Sequence, residues 1–358
     1  MEIHQVLVTA APADAITNAA LEIQRLLHRI VPTSKVYARF IDSRMGSKVL
    51  PLSDYPRGSG RPGDVLLFHA SIGEPDVREF LLERPEQLVL IYHNISPAQP
   101  FLEHDPVFAA LLEGGRRELA DLAARTRLAL ADSQFNADEL VALGYEDVRV
   151  SPLIIDLTGL RRVPPDPRTE DLFCTRATGP RFLFVGQLLP HKRPDTLIKA
   201  FHILTTYLIP DAQIALVGAG RLPRYRRSLE RFVQELNLPG VWLAGLVTDE
   251  QLVAFFRNAD CFVTASEHEG FCVPVLEAML FDVPVVARGV AALPETIGDA
   301  GLVLPPDGDA TLLAEAMAVT VRDADLRSEL VERGRRRLDA FSADRARTTF
   351  LENLATVV

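Results

Sequence analysis

The chain has 358 residues, 48% of them hydrophobic and 24% charged, proportions that suit a soluble globular protein of about two domains. That composition excludes a disordered chain, a collagen-like repeat and a disulfide miniprotein. Thirty-eight basic against 48 acidic residues leave a net charge of −10, which disfavours general nucleic-acid binding and leaves only a local basic patch open.

No stretch reaches the run of roughly 18 apolar residues needed to span a membrane. The first residues, MEIHQVLVTAAPAD, lack a basic leader region and do not read as a signal peptide. Three cysteines (Cys174, Cys261, Cys272) without a CxxC pair fit a reducing compartment. The expected location is the cytoplasm, with peripheral contact to the inner face of a membrane left open.

In chain order, apolar β-branched runs at 4–10, 35–40, 64–70, 88–93, 127–132 and 148–153 read as buried strands. Residues 15–30, 107–125 and 136–143 carry helical spacing between them. Residues 156–180 break the pattern with Pro164, Pro165, Pro167 and Pro180 and read as an interdomain linker. Strands then recur at 181–186, 213–218, 241–245, 260–265, 283–287 and 301–304. Helical stretches fall at 194–208, 223–236, 250–258, 274–281, 310–321 and 324–337, with a last one at 343–354. Strand–helix alternation with nearly all-apolar strands implies α/β architecture, parallel sheets covered on both faces. The expected division is 1–160, a linker at 161–180, 181–340, and a C-terminal helix at 341–358 that can pack back on the first domain. Two doubly wound, Rossmann-like domains would enclose a deep cleft, and ligands bind beyond the carboxyl ends of such strands.

The most informative stretch is SEHEGFCVPVLEAMLFDVP, residues 266–284. A strand ends near Ala265, and Pro274 suits the start of a helix. The N–H groups of Gly270, Phe271, Cys272 and Val273 then lie at the helix tip, where the dipole favours an anion such as phosphate. Glu269 precedes the helix and Glu277 lies one turn inside it. Carboxylates accept paired hydroxyl hydrogen bonds, so two of them bracketing an anion site suit a sugar and a ribose on either side of a diphosphate. A bare pair of glutamates at this spacing reads first as two solvated side chains; the whole string decides otherwise.

That string resembles the EGF-x-x-P-x-x-E-A signature, with its E-x7-E spacing, of the retaining GT-B glycosyltransferases of family 4. Glu269-Gly270-Phe271, Pro274, Glu277 and Ala278 fall in register, and the match runs on through Pro284-Val285-Val286-Ala287 and Pro294-Glu295. Cys272 stands where glycine is usual. A second element, Val185-Gly186-Gln187-Leu188-Leu189-Pro190-His191-Lys192-Arg193, resembles the family's VGR-L-x-x-x-K-G. Lys192 matches the lysine that holds the donor diphosphate. Gln187 replaces an arginine, a loss of roughly 1.5–3 kcal/mol for a charge-assisted contact, and Arg193 is the candidate to compensate.

The resemblance also implies a nucleotide-side turn at Gly218-Ala219-Gly220, backbone contact with the base at Leu246-Val247, and a sugar-facing imidazole at His93. The glycine pair alone is uninformative and is not a dinucleotide fingerprint, since Pro223 stands where a third glycine belongs. The basic run at 221–231 reads as a solvated helix face, and the N-terminal loop at 10–17, with Asp14 and Asn18, lacks the family's glycine-rich turn. Glu267-His268-Glu269 invites a metal, but no further ligand cluster is visible, and the resemblance implies metal-independent transfer with no cofactor.

The implied reaction moves a sugar from a UDP-, GDP- or similar nucleoside-diphosphate donor to a glycan, lipid-linked or small-molecule acceptor, with retention at the anomeric carbon. Lys192 and the helix tip would stabilise the leaving phosphate, Glu269 would orient the donor sugar, and Glu277 would hold the ribose. A nucleotide-sugar epimerase, a phosphorylase and a non-catalytic binding module remain open on the same fold. A dinucleotide oxidoreductase is disfavoured because Ala10-Ala11-Pro12 follows the first strand instead of a glycine fingerprint.

Overall fold

A computed structural model describes residues 1–12, 14–56, 60–175 and 178–358. Ala13, within the N-terminal loop read above, and Arg176-Ala177, within the expected linker, lie outside the described residues. The chain divides into two compact units: residues 1–99, 106–155 and 342–358, and residues 100–105 and 156–341.

The first unit is built on strands β1 (Ile3–Ala10), β2 (Val36–Ile41), β3 (Leu50–Pro51), β4 (Val65–Ala70), β5 (Gln87–Tyr92), β6 (Thr126–Ala131) and β7 (Val148–Val150). Their spatial order is β3-β2-β1-β4-β5-β6-β7, and every pairing is parallel. Helices α1 (Ala15–Leu27), α2 (Pro75–Glu83), α3 (Pro106–Leu122) and α4 (Gln134–Ala142) connect them. Asp14 starts α1 by accepting the Thr17 N–H at 2.8 Å, the role of an N-cap. Ile23, Leu26 and Leu27 of α1 join Ile3, Val65, Val89 and Leu128 in one core. Ala346, Phe350 and Leu354 of the last helix, Ala343–Leu354, complete that core. The central strand β4 is buried along its whole length, because helices cover both faces of a parallel sheet.

The second unit repeats the plan with β8 (Arg181–Val185), β9 (Gln213–Val217), β10 (Val241–Gly245), β11 (Cys261–Thr264), β12 (Val285–Arg288) and β13 (Gly301–Leu304). The order is β10-β9-β8-β11-β12-β13, again all parallel. Its helices are α5 (Leu157–Arg162), α6 (Pro167–Thr175), α7 (Pro194–Ile203), α8 (Pro223–Glu235), α9 (Asp249–Asn258), α10 (Val273–Leu280), α11 (Leu293–Ile297), α12 (Ala310–Arg322) and α13 (Ala324–Ala340). The strand order reverses between β8 and β11, and the loops leaving those two strands flank the switch point, where open α/β sheets bind ligands.

The structure corrects two readings of the sequence. The proline-rich stretch at 156–180 is not a plain linker: it holds α5 and α6, and α6 packs on α9. Pro167 opens α6 and Asp166 accepts the Thr169 N–H at 2.8 Å, so the proline marks a helix start. Helix α2 was also missed, being only nine residues long and lacking a side-chain cap.

Gly218 ends β9 with φ 147°, and a Cβ there would stand 1.9 Å from the Gly186 carbonyl oxygen. Its N–H donates to Gly245 O at 2.8 Å, so β8, β9 and β10 close up at their carboxyl ends only because a glycine stands there. Gly218→Ala is expected to cost about 1–3 kcal/mol, the range of overpacking, read as a lower urea midpoint; an unchanged midpoint would show that the edge relaxes freely.

Candidate functional site

The β8–α7 loop ends in a tight turn, Pro190–Lys192, followed by Arg193 in the left-handed region (φ 50°, ψ 48°). The β11–α10 loop delivers Ser266 to Cys272. Two backbone contacts fix these loops: Glu267 N–H donates to His191 O at 2.8 Å, and Ala292 N–H donates to Glu269 O at 3.1 Å. The result brings Lys192 Nζ to 2.5 Å from Glu269 Oε2. The other carboxylate oxygen accepts from Ser266 Oγ at 2.8 Å, and Ser266 in turn meets Thr264 Oγ1 at 2.9 Å. Glu269 is 6% exposed, so it is a pinned, desolvated carboxylate. An ammonium has three donors and a carboxylate about four acceptor positions, so this pair can still bind a ligand from both members.

Helix α10 begins at Val273, with Pro274 second, and no side chain caps its N-terminus. Cys272 precedes it with φ 71° and ψ 69°. Cys272 and Arg193 both hold left-handed backbone, a conformation that costs a non-glycine residue about 1–2 kcal/mol. Both occupy positions where the resembled motifs carry glycine, so the backbone path is kept although the residues differ. Burial raises the Cys272 thiol well above its ordinary range, and Glu269, Lys192 and Glu277 all act on it electrostatically. The cysteine thus lies among the three charged groups singled out from the sequence.

Glu277 differs in kind from Glu269. It is half-buried on α10, and no described side chain or backbone group donates to its carboxylate. Desolvation by burial, then the charge of Asp249, push it up to about 7. A buried carboxylate without a donor is costly, and its environment favours any ligand that brings hydroxyl donors. Asp249 opens α9 just after Leu246-Val247, the segment assigned to the base; Leu246 is 75% exposed. Sequence reasoning missed Asp249, whose only signal was its place as an acid in a first helical turn, and missed Ser266.

Other expected residues move. The Arg193 guanidinium is bidentate on Asp195 at 3.0 and 3.1 Å and also pairs with Glu267. Gln187 itself is exposed. Within the basic run, Arg226 lies against Gly220 and Gly245 and pairs with Glu230 at 2.9 Å. His93 follows β5 in the first unit. Its side chain is 3% exposed, and both ring nitrogens are engaged by Asp132 and His69. Among the described residues no group of three or more His, Cys, Asp or Glu could hold a metal ion, and no helix is long and apolar enough to cross a membrane.

Residues 175–337, which hold every element of this site, match the family model described as Glycosyl transferases group 1. The chain is a glycosyltransferase, and residues 175–337 carry the match to this family. O-antigen chain mannosyltransferase B of Escherichia coli is 28% identical over 277 residues, 75% of this chain and 70% of that protein. The GDP-mannose-dependent alpha-mannosyltransferase of Mycolicibacterium smegmatis is 31% identical over 158 residues, 43% of this chain, and that alignment spans only 38% of its length. Among solved structures, HepE of Anabaena in complex with UDP and glucose covers 99% of this glycosyltransferase and 100% of itself, with a TM-score of 0.77 at 18% identity. Sucrose-phosphate synthase of Thermosynechococcus elongatus gives 0.76 at 19% identity, covering 100% of this chain and 99% of its own. These likenesses show the GT-B fold.

Proposed function

We propose that this glycosyltransferase transfers mannose from GDP-mannose to a hydroxyl of a carbohydrate acceptor, with retention at the anomeric carbon. The carrying observation is the cluster of Lys192, Glu269 and the uncapped tip of α10 at the switch point. Lys192 and the first-turn N–H groups stabilise the diphosphate as the glycosidic bond lengthens, because fixed dipoles and charge act most strongly where charge develops. Glu269, held rigid by Ser266, accepts hydroxyls of the donor sugar. Glu277 accepts the ribose hydroxyls. A departing phosphate oxygen takes the acceptor's proton on the same face, which needs no protein nucleophile.

Asp249 favours guanine. One carboxylate can accept both N1–H and the exocyclic N2–H of guanine, whereas uracil offers a single N–H flanked by carbonyl oxygens that a carboxylate repels. The position of Asp249 beside Glu277 supports this choice, as do mannosyltransferases among the relatives.

A thermal-shift series with GDP-mannose, UDP-glucose, ADP-glucose and TDP-glucose tests the reading. The largest shift is expected with GDP-mannose. Asp249→Asn is expected to weaken GDP at least tenfold, about 1.5–3 kcal/mol for a charge-assisted pair, and to leave UDP unchanged. Preferential binding of UDP by the parent protein would overturn the guanine assignment.

A further inference from the structure

A second polar cluster lies in the first unit, at the carboxyl ends of β4, β5 and β6. Gln5, His69, His93 and Asp132 form one chain of contacts, and its hydrogen-bond directions can be worked out from one end. Gln5 Nε2 donates to Ala20 O at 3.0 Å, so Gln5 Oε1 is the atom facing His69 Nε2 at 2.9 Å. An amide oxygen only accepts, which puts a hydrogen on His69 Nε2. In a neutral His69 the other nitrogen, Nδ1, is then an acceptor. Its neighbour at 2.9 Å is His93 Nε2, which must donate. His93 Nδ1 lies 2.8 Å from Asp132 Oδ2. A hydrogen bond there requires one more proton, on the imidazole or on the carboxyl. Either placement leaves the pair without net charge, as burial demands of two side chains each 3% exposed.

A cationic His69 would satisfy the same contacts with the central bond reversed, its Nδ1–H donating to His93 Nε2. Its ring is wholly buried beside His93, and both influences drive its pKa well below the ordinary range. The proton therefore resides at the His93–Asp132 end. The titratable groups acting on the cluster are its own members, since burial and His93 account for the shifts of both His69 and Asp132. Glu139 and Arg116 engage the turn through other atoms: Tyr92 and Asn94 donate to Glu139, while Arg116 donates to Glu139 and to Ile95 O.

We propose that Asp132 and His69 are positioning residues that hold one proton on the His93–Asp132 pair and thereby lock the turn at residues 92–95 on the carboxyl edge of the sheet. That turn is a demanding one. Asn94 has φ 76°, and the Tyr92 hydroxyl accepts the Ile95 N–H at 3.1 Å. With His93 fixed by its ring and Asn94 by its amide, the loop following β5 has little freedom. Its service to the transfer reaction rests on the function proposed above; the proton does not.

Burial and the neighbouring His93 hold the His69 pKa well below its ordinary range, so His69 is neutral in the fold, whereas the unfolded chain protonates it below about pH 6.5. Its contribution to stability is therefore lost as pH falls below that value.

The test uses the full chain with 15N-labelled histidine and no nucleotide, so that its failure is separate from any failure of the donor assignment. Multiple-bond 15N–1H spectra from pH 6 to 8.5 are expected to show His69 as the neutral Nε2–H tautomer and His93 with a protonated Nε2. One low-field proton at Nδ1 should persist through pH 8. Asp132→Asn is expected to abolish that resonance and to lower kcat about tenfold through misplacement of the turn, with GDP affinity unchanged. A His93 without a hydrogen on Nε2, or a His69 protonated on Nδ1, would overturn the proton assignment in the parent protein itself. An unchanged kcat in a folded Asp132→Asn would overturn the positioning role.

Discussion

Lys192→Ala is expected to lower turnover by roughly 10²–10³, the loss seen when a preorganised stabiliser of developing charge is removed. Lys192 is the one sequence-expected phosphate cation that the structure keeps at the site, since Gln187 carries no charge and Arg193 is committed to Asp195 and Glu267. Removing the ammonium also leaves Glu269 with Ser266 alone, and an under-satisfied buried acceptor costs about 1–3 kcal/mol. Stability must therefore be followed beside kcat, by urea unfolding at the assay pH. Lys192→Arg separates the two effects, because it keeps the charge on Glu269 while changing where the cation can reach. A folded Lys192→Ala protein with the parent kcat at saturating donor would remove this residue from the mechanism.

Glu277→Gln is expected to stabilise the protein above pH 7 and to weaken its hold on nucleotide. The parent carboxylate has its pKa raised to about 7 by burial and by Asp249. Such a group is no burden below the unfolded value near 4.5, where it is neutral in both states. Its neutral form is favoured in the folded protein, so stability is lost as pH climbs from there through 7. A shift of that size corresponds to about 3 kcal/mol at pH 8. The glutamine variant escapes this penalty, so its Tm should exceed the parent's at pH 8 and match it near pH 4.5. Ribose hydroxyls donate to the ionised form, so parent affinity for GDP should rise with pH up to about 7, and the variant should lose both that dependence and about tenfold or more in affinity. Calorimetry at pH 6 and 8 reads this directly. Equal GDP affinity and equal pH dependence in both proteins would deny Glu277 the ribose.

How much of this was legible in the sequence follows from where each signal resides. The E-x7-E string lies on one loop and one helix, so local spacing sufficed to put Glu269 and Glu277 beside one helix tip, and the resemblance implied their roles. The doubly wound pattern was legible because parallel strands are buried on both faces and read as apolar runs. Asp249, Ser266, His69 and Asp132 acquire meaning only through tertiary contact: His69 and Asp132 end different strands, β4 and β6, that pair with β5. Pro167 was misread because a proline that starts a helix and one that breaks a chain look alike without the Asp166–Thr169 cap. Gly218 was read only as part of a nucleotide-side turn, since its packing need comes from a backbone oxygen 32 residues earlier, at Gly186. Arg193 was credited with a free charge because sequence alone does not show that Asp195 and Glu267 converge on it.

The account rests on the diphosphate being gripped between Lys192 and the tip of α10. A crystal structure with GDP tests this most directly. It is expected to place phosphate oxygens within hydrogen-bonding distance of Lys192 Nζ and of N–H groups among Gly270–Val273, with the ribose on Glu277. Nucleotide bound elsewhere, with Lys192 still closed on Glu269 and no phosphate at the helix tip, would contradict it.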